Sequence, residues 1–121
     1  MKIYRFSFPK GFGFAINGLI KAISSERNLK VHLVAMVCVL LLGLYVHLSA
    51  IEWVIVTGCF GWVIAAELMN TAIEKLVDLV SPEFDPRAGL VKDIAAGAVL
   101  ISATTAAVIG CIIFIPKLFS L

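Results

Sequence analysis

Residues 53–78, WVIVTGCFGWVIAAELMNTAIEKLVD, begin as an apolar helix and end with regularly spaced polar side chains. The uncharged part is only about 21 Å of helix, so a crossing of a hydrocarbon core of about 30 Å must continue into the polar part. At about 100° per residue, four polar side chains fall within roughly 60° of one another: Glu67, Asn70, Glu74 and Asp78. Carboxylates at membrane depth cost about 2.5 to 3.5 kcal/mol and are normally functional. The stretch therefore predicts a membrane-spanning helix with a functional polar stripe.

Two longer uncharged runs lie on either side, at residues 31–51 and 94–115. Of the 121 residues, 61% are hydrophobic and 15% charged, and the mean hydropathy is +1.05. A soluble domain this small could not bury so much apolar surface. We predict an all-α membrane protein, one domain over residues 1–121, with three spans at about 29–50, 53–80 and 88–116.

The amino-terminal part is basic, and its residues 12–27 alternate apolar and polar at helical spacing, which predicts an amphipathic surface helix. The turn near Glu52 has no Lys or Arg, whereas the second turn is flanked by Lys75, Arg87 and Lys92. By the positive-inside rule, the amino terminus and the second turn are cytoplasmic. The net charge of +2 is too small to indicate a nucleic-acid partner.

One side of the third span is rich in small residues. The residues on this side recur at intervals of three or four positions, namely Asp93, Ala96, Leu100, Ala103, Ala107 and Gly110. Small side chains let helix backbones approach closely in lipid. We therefore expect the chain to pack against copies of itself.

The depth of the polar stripe leaves two functions open. If Trp53 lies at the outer interface, Glu74 reaches the inner headgroup boundary and Glu67 lies about 9 Å inside it. Glu67 is then suited to act as a general base on a buried hydroxyl, in an enzyme whose substrates arrive from lipid and from water. The alternative is a small non-enzymatic transporter that uses Glu67, Glu74 and Asp78 as a proton or cation relay.

Other polar residues gather near the same predicted boundary. Glu26 ends the surface helix, and Lys92 and Asp93 begin the third span. Carboxylates from two helices, with phosphate oxygens completing the shell, suit Mg²⁺, and Lys92 could stabilise a transferring phosphoryl group. His32 and His47 lie at opposite ends of one span, and interfacial packing is expected for both.

The stretch 66–100, AELMNTAIEKLVDLVSPEFDPRAGLVKDIAAGAVL, resembles the prokaryotic diacylglycerol kinase family of small membrane lipid kinases. The ExxNxxxE core and the KDxxxxAVL segment are both present at the family spacing. Upstream, residues 17–19 (NGL) and 25–28 (SERN), followed by His32, look like the undecaprenol kinase branch. The resemblance covers about residues 12–115.

The resemblance implies a homotrimer in the bacterial cytoplasmic membrane, with active sites shared between subunits. It implies phosphorylation of a lipid alcohol, undecaprenol or diacylglycerol, with ATP as donor and Mg²⁺ as cofactor. By position, it implies these roles: Glu67 as catalytic base, Asn70 at the reaction centre, Glu26 and Glu74 at the metal, and Lys92, Asp93, Glu83 and Asp85 at the nucleotide.

The family pattern is broken near the amino terminus. Some members carry an arginine eleven residues before the Gly-Leu pair, and this chain has Ser7 there. Arg5 and Lys10 are nearby and could substitute, so which residue completes this part of the ATP site is left open, as is the choice between the two lipids.

Overall fold

The structure, a computed structural model, describes residues 8–121, which form four α-helices. They are α1 (Phe8–Ser25), α2 (Arg27–Val46), α3 (Ala50–Val80) and α4 (Pro86–Phe119). The last three are each long and apolar enough to cross a membrane, which confirms the predicted three-span, all-helical architecture. The expectations about Arg5 and Ser7 lie outside the described residues.

Helix α1 covers most of the stretch predicted as a surface helix, but it starts and ends earlier than residues 12–27. Pro9 fits its first turn, where a backbone N–H is not needed. At the other end the hydroxyls of Ser24 and Ser25 donate to the carbonyls of Ile20 and Lys21, at 2.7 and 2.8 Å. Glu26 then adopts an extended conformation and starts α2. The position of α1 on a membrane surface stays a prediction.

Helix α2 ends at Val46, four residues before the predicted end of the first span. His47 closes α2 in the left-handed conformation at φ 58°, and its N–H bonds to the carbonyl of Gly43. Ser49 and Glu52 then form a capping box, in which each side chain accepts a hydrogen bond from the backbone N–H of the other. The box starts α3 at Ala50, earlier than the predicted residue 53.

Helices α3 and α4 form a long antiparallel hairpin. Asp85 caps α4, and Pro86 occupies its first turn. At the opposite end of the hairpin, the ammonium group of Lys117 lies 2.9 Å from a carboxylate oxygen of Glu52. These contacts place the start of α3 beside the end of α4, and therefore the end of α3 beside the start of α4.

The buried core is small and lies near the Glu52 end of the hairpin. It consists of Val46, Leu48, Val56, Ile113 and Phe114. Gly43 is needed beside it, because a Cβ at this position would lie 2.7 Å from Cη2 of Trp53. Most other apolar side chains of the three long helices face outward, as expected where lipid is the solvent.

Candidate functional site

Glu67 is a buried carboxylate near the middle of α3. Its side chain is 5% exposed, and its Oε1 lies 2.9 Å from Nε2 of His32 on α2. A buried carboxylate needs such a partner, because the loss of water is otherwise expensive. The Glu67 carboxylate is therefore held against a neighbouring helix instead of facing outward from the protein.

His32 is the site residue that sequence reasoning missed. Interfacial packing was expected, but the imidazole makes a polar contact with Glu67 instead. Helical spacing cannot pair residues that lie thirty-five positions apart on different helices. The predicted depth in the membrane could have paired the two residues. His32 lies near the cytoplasmic end predicted for its span, where Glu67 was also expected.

Asn70 follows Glu67 by one helical turn and carries an unpaired buried atom. Its Nδ2 donates to Oε1 of Glu74 at 3.3 Å. Its Oδ1 is buried and has no hydrogen-bond partner among the described residues. Such an atom is costly unless a water or ligand binds it. Asn70 therefore offers an acceptor beside Glu67 and Glu74.

Glu26 reaches the same part of α3 from the junction of α1 and α2. One of its carboxylate oxygens lies 3.9 Å from Nζ of Lys75, the residue that follows Glu74. The extended backbone at Glu26 separates the two helices and turns the chain at this point. The junction therefore brings the half-exposed carboxylate of Glu26 to the polar end of α3.

Lys92 and Asp78 join α4 to α3 at the cytoplasmic end predicted for the hairpin. The Lys92 ammonium donates to Oδ1 of Asp78, and both side chains are partly exposed. Asp93, the next residue on α4, is exposed. Because water screens an exposed ion pair, Lys92 can leave Asp78 for a stronger anion at little cost.

The turn between α3 and α4 contains the two remaining predicted site residues. Asp85 accepts hydrogen bonds from the guanidinium and the backbone N–H of Arg87, at 2.8 and 2.9 Å. These bonds hold the pKa of the Asp85 carboxyl below its ordinary value. Glu83 is exposed, and its carbonyl accepts a hydrogen bond from the Ser81 hydroxyl at 3.2 Å. In this structure Asp85 has a capping role that the nucleotide assignment did not include.

An apolar groove of about 430 Å³ runs between α2, α3 and α4. Its walls are almost entirely apolar, and His32 lies in its lining. Three residues of the small-residue side of α4 contribute to the wall, namely Ala103, Ala107 and Gly110. Part of the surface expected to meet another copy thus faces a groove within the same chain.

The carboxylates do not form a closed metal cage. Among residues 8–121, no three His, Cys, Asp or Glu side chains come together as a metal-binding group. Mg²⁺ does not need one, because it is usually held by one or two carboxylates together with substrate phosphates and water. Glu26 and Glu74, with the unpaired Oδ1 of Asn70 nearby, are compatible with that mode.

Fold and site together define a small helical membrane protein whose buried Glu67 contacts a histidine in the wall of an apolar groove. A family model described as prokaryotic diacylglycerol kinase matches residues 13–114. The chain belongs to this family and is a lipid kinase of a bacterial membrane. The expected family resemblance is confirmed, and the alternative of a non-enzymatic transporter is wrong.

Several curated proteins are similar over most of the chain. An undecaprenol kinase of Bacillus subtilis (strain 168) is 43% identical over 111 residues, which are 92% of this chain and 90% of that protein. A diacylglycerol kinase of Synechocystis sp. is 37% identical over 113 residues, covering 91% of this chain and 63% of that protein. A diacylglycerol kinase of Escherichia coli (strain K12) is 29% identical over 104 residues, or 86% and 85% of the two chains.

Proposed function

We propose that the protein transfers the γ-phosphoryl group of ATP to the hydroxyl group of a membrane lipid alcohol, with Glu67 as general base. The observation that carries the proposal is the burial of Glu67 against His32, which lines the apolar groove. A hydrocarbon chain in that groove would bring its terminal hydroxyl close to the carboxylate. A carboxylate within hydrogen-bond reach can take the hydroxyl proton during attack.

The reaction balances without a covalent enzyme intermediate. The lipid oxygen bonds to the γ-phosphorus while its proton passes to Glu67. The bond from that phosphorus to the β,γ-bridging oxygen breaks, and ADP leaves with the electron pair. Asn70 is proposed to act at this centre, because its buried Oδ1 is free to accept a hydrogen bond from a substrate group. Catalysis of this kind depends on positioning and on charge stabilisation.

The nucleotide is proposed to bind at the polar end of α3 and the start of α4. Glu26 and Glu74 would hold Mg²⁺, which neutralises phosphate charge when bound. Lys92 would exchange Asp78 for the phosphates, and Asp93, Glu83 and Asp85 would complete the nucleotide site. Lys10 lies in α1 and is exposed, so it remains a candidate for the amino-terminal contact.

The length of α3 supports a site at a membrane boundary. Its 31 residues span about 46 Å, more than a hydrocarbon core of about 30 Å. If Glu52 and Lys117 mark one interface, the turns that carry Glu74 and Asp78 extend beyond the other. We propose that this end is cytoplasmic, that the membrane is the bacterial inner membrane, and that the chain forms a homotrimer with shared sites.

The acceptor is proposed to be undecaprenol rather than diacylglycerol. Support comes from the 43% identity to a protein named undecaprenol kinase, against 37% and 29% for those named diacylglycerol kinase. The test is purified protein in micelles with γ-labelled ATP and both lipids side by side. We expect label in undecaprenyl monophosphate first. Preferential labelling of diacylglycerol would reverse the acceptor assignment, and unlabelled lipid of both kinds would contradict the proposed function.

A further inference from the structure

We infer that His32 is a positioning residue for phosphoryl transfer, holding one oxygen of Glu67 so that the other faces the lipid hydroxyl. The inference rests on the proposed function, because it assigns His32 a part in the action of Glu67. It concerns a residue of α2, whereas Glu67, Asn70 and Glu74 all lie on α3.

The contact is specific in its atoms. Nε2 of His32 lies 2.9 Å from Oε1 of Glu67, an ion-pair contact at hydrogen-bond distance. An ionised carboxylate oxygen can only accept, so a hydrogen bond across this contact requires the imidazole proton on Nε2. In the proposed arrangement, this hydrogen bond sets both the tautomer of His32 and the rotation of the Glu67 carboxylate.

The surroundings explain why the carboxylate needs this partner. Glu67 is almost fully buried, whereas the His32 side chain is 27% exposed and lines the groove. Thr71, one turn further along α3, is also buried. Without the imidazole, the Glu67 carboxylate would lose this partner and could adopt other rotamers.

His32 keeps its own proton throughout the proposed transfer step. Oε2 of Glu67 receives the hydroxyl proton as the lipid oxygen bonds to phosphorus, while Oε1 keeps the hydrogen bond from Nε2. A general base held by a third group in this way is a recurring arrangement in catalysis. Loss of the holding group should lower the rate of transfer without changing the affinity for ATP.

Two substitutions separate the Nε2 hydrogen bond from the rest of the side chain. Glutamine carries an N–H donor at the same number of bonds from the backbone as Nε2, whereas asparagine carries one at the position of Nδ1. We expect His32→Asn to lower kcat about 10- to 100-fold with an unchanged KM for ATP, and His32→Gln to keep most of the activity. His47→Asn, at the other end of α2, is the matched control and should match the unsubstituted protein. Equal loss in both His32 variants, or no loss in either, would overturn the inference.

A double substitution tests whether His32 acts through Glu67. In a Glu67→Gln background, His32→Asn should cause no further loss of the residual rate, because the group it positions is already gone. A multiplicative loss would overturn the inference. If Glu67→Gln itself were fully active, the proposed function would fail first, so the two failures are distinguishable.

A spectroscopic readout needs no His32 variant, so a folding defect in those variants does not affect it. In ¹⁵N-histidine-labelled protein in micelles, the His32 resonance should report a protonated Nε2, and Glu67→Gln should shift it. The His47 resonance should stay unchanged. An unprotonated Nε2 on His32, or a resonance that ignores the Glu67 substitution, would contradict the inference.

Discussion

Glu67 is the central residue of the proposed site, because its burial leaves the carboxylate few possible partners. Its ion-pair contact with His32 links α3 to α2 at the groove, and Asn70 extends the polar surface toward Glu74. The stripe was visible in the sequence because it follows the period of one helix. The contacts that complete it come from other helices and could not be found from periodicity.

Variants of the Lys92–Asp78 ion pair can show whether Lys92 contacts the nucleotide or only joins the two helices. We expect Lys92→Met to lower kcat/KM for ATP about 100-fold, because a cation placed on a transferring phosphoryl group is lost. Asp78→Asn breaks the same ion pair from the other side and should leave kcat/KM close to that of the unsubstituted protein. Steady-state kinetics at varied ATP concentration measure both, and equal losses would contradict a phosphate contact.

At the scale of elements, the apolar runs predicted three helices long enough to cross a membrane, and their exact ends were set by caps. The sequence SAIE at residues 49–52 has the spacing of a capping box, a signal that could have moved the start of α3 back to Ala50. The end of α2 at Val46 depends on the left-handed backbone of His47, which a non-glycine residue adopts only rarely.

Gly43 is predicted to be the glycine that the helix packing cannot replace. A methyl group there would meet the Trp53 ring at 2.7 Å, so Gly43→Ala should destabilise the protein by about 1 to 3 kcal/mol. Gly58→Ala is the control, because no atom lies within 4 Å of its added Cβ and alanine favours the helix. Unfolding in mixed micelles with increasing SDS measures both. Equal stability of the two variants would show that Trp53 moves away freely.

The start of α4 should respond to acid through Asp85. Its folded-state pKa lies below the ordinary value because of the Arg87 hydrogen bonds, so its ionised form stabilises the fold above pH of about 4. That contribution is lost as pH falls through the folded-state pKa. Asp85→Asn keeps a capping side chain but removes the charge.

We therefore expect Asp85→Asn to unfold more easily than the unsubstituted protein at pH 7 and to approach it at the acid end of a series from pH 7 to pH 3. The unfolding midpoint in micelles is the measurement. Glu83→Gln, in the same turn, is the charge-matched control and should produce a smaller difference at pH 7. A difference for Asp85→Asn that persists unchanged at pH 3 would contradict the argument.

At the scale of the whole molecule, most apolar side chains of the single chain face outward, and lipid or other subunits must cover them. Composition alone predicted the membrane as solvent. The number of subunits is not encoded in helical spacing, because the small-residue side of α4 also lines a groove of its own chain. The homotrimer therefore remains a proposal that needs a direct test.

Sharing of sites between subunits predicts that two inactive variants can rescue each other. Glu67→Gln and Lys92→Met would be unfolded, mixed and refolded together in micelles. If one chain supplies Glu67 and its neighbour supplies Lys92, some sites in mixed trimers contain both native residues, and lipid phosphorylation returns. Separately refolded variants that are mixed afterwards are the control. Failure of the co-refolded mixture to regain activity would mean that each chain carries a complete site.

The most direct test of the whole account compares two glutamates of the same helix. Glu67→Gln keeps the size of the side chain and removes the base, whereas Glu52→Gln makes the same change at the far end of α3. With labelled ATP and undecaprenol in micelles, the account predicts that Glu67→Gln lowers the rate of lipid phosphorylation at least 100-fold, while Glu52→Gln, if folded, retains it. Turnover by Glu67→Gln at the rate of the unsubstituted protein would contradict the assignment of the buried carboxylate as the proton acceptor.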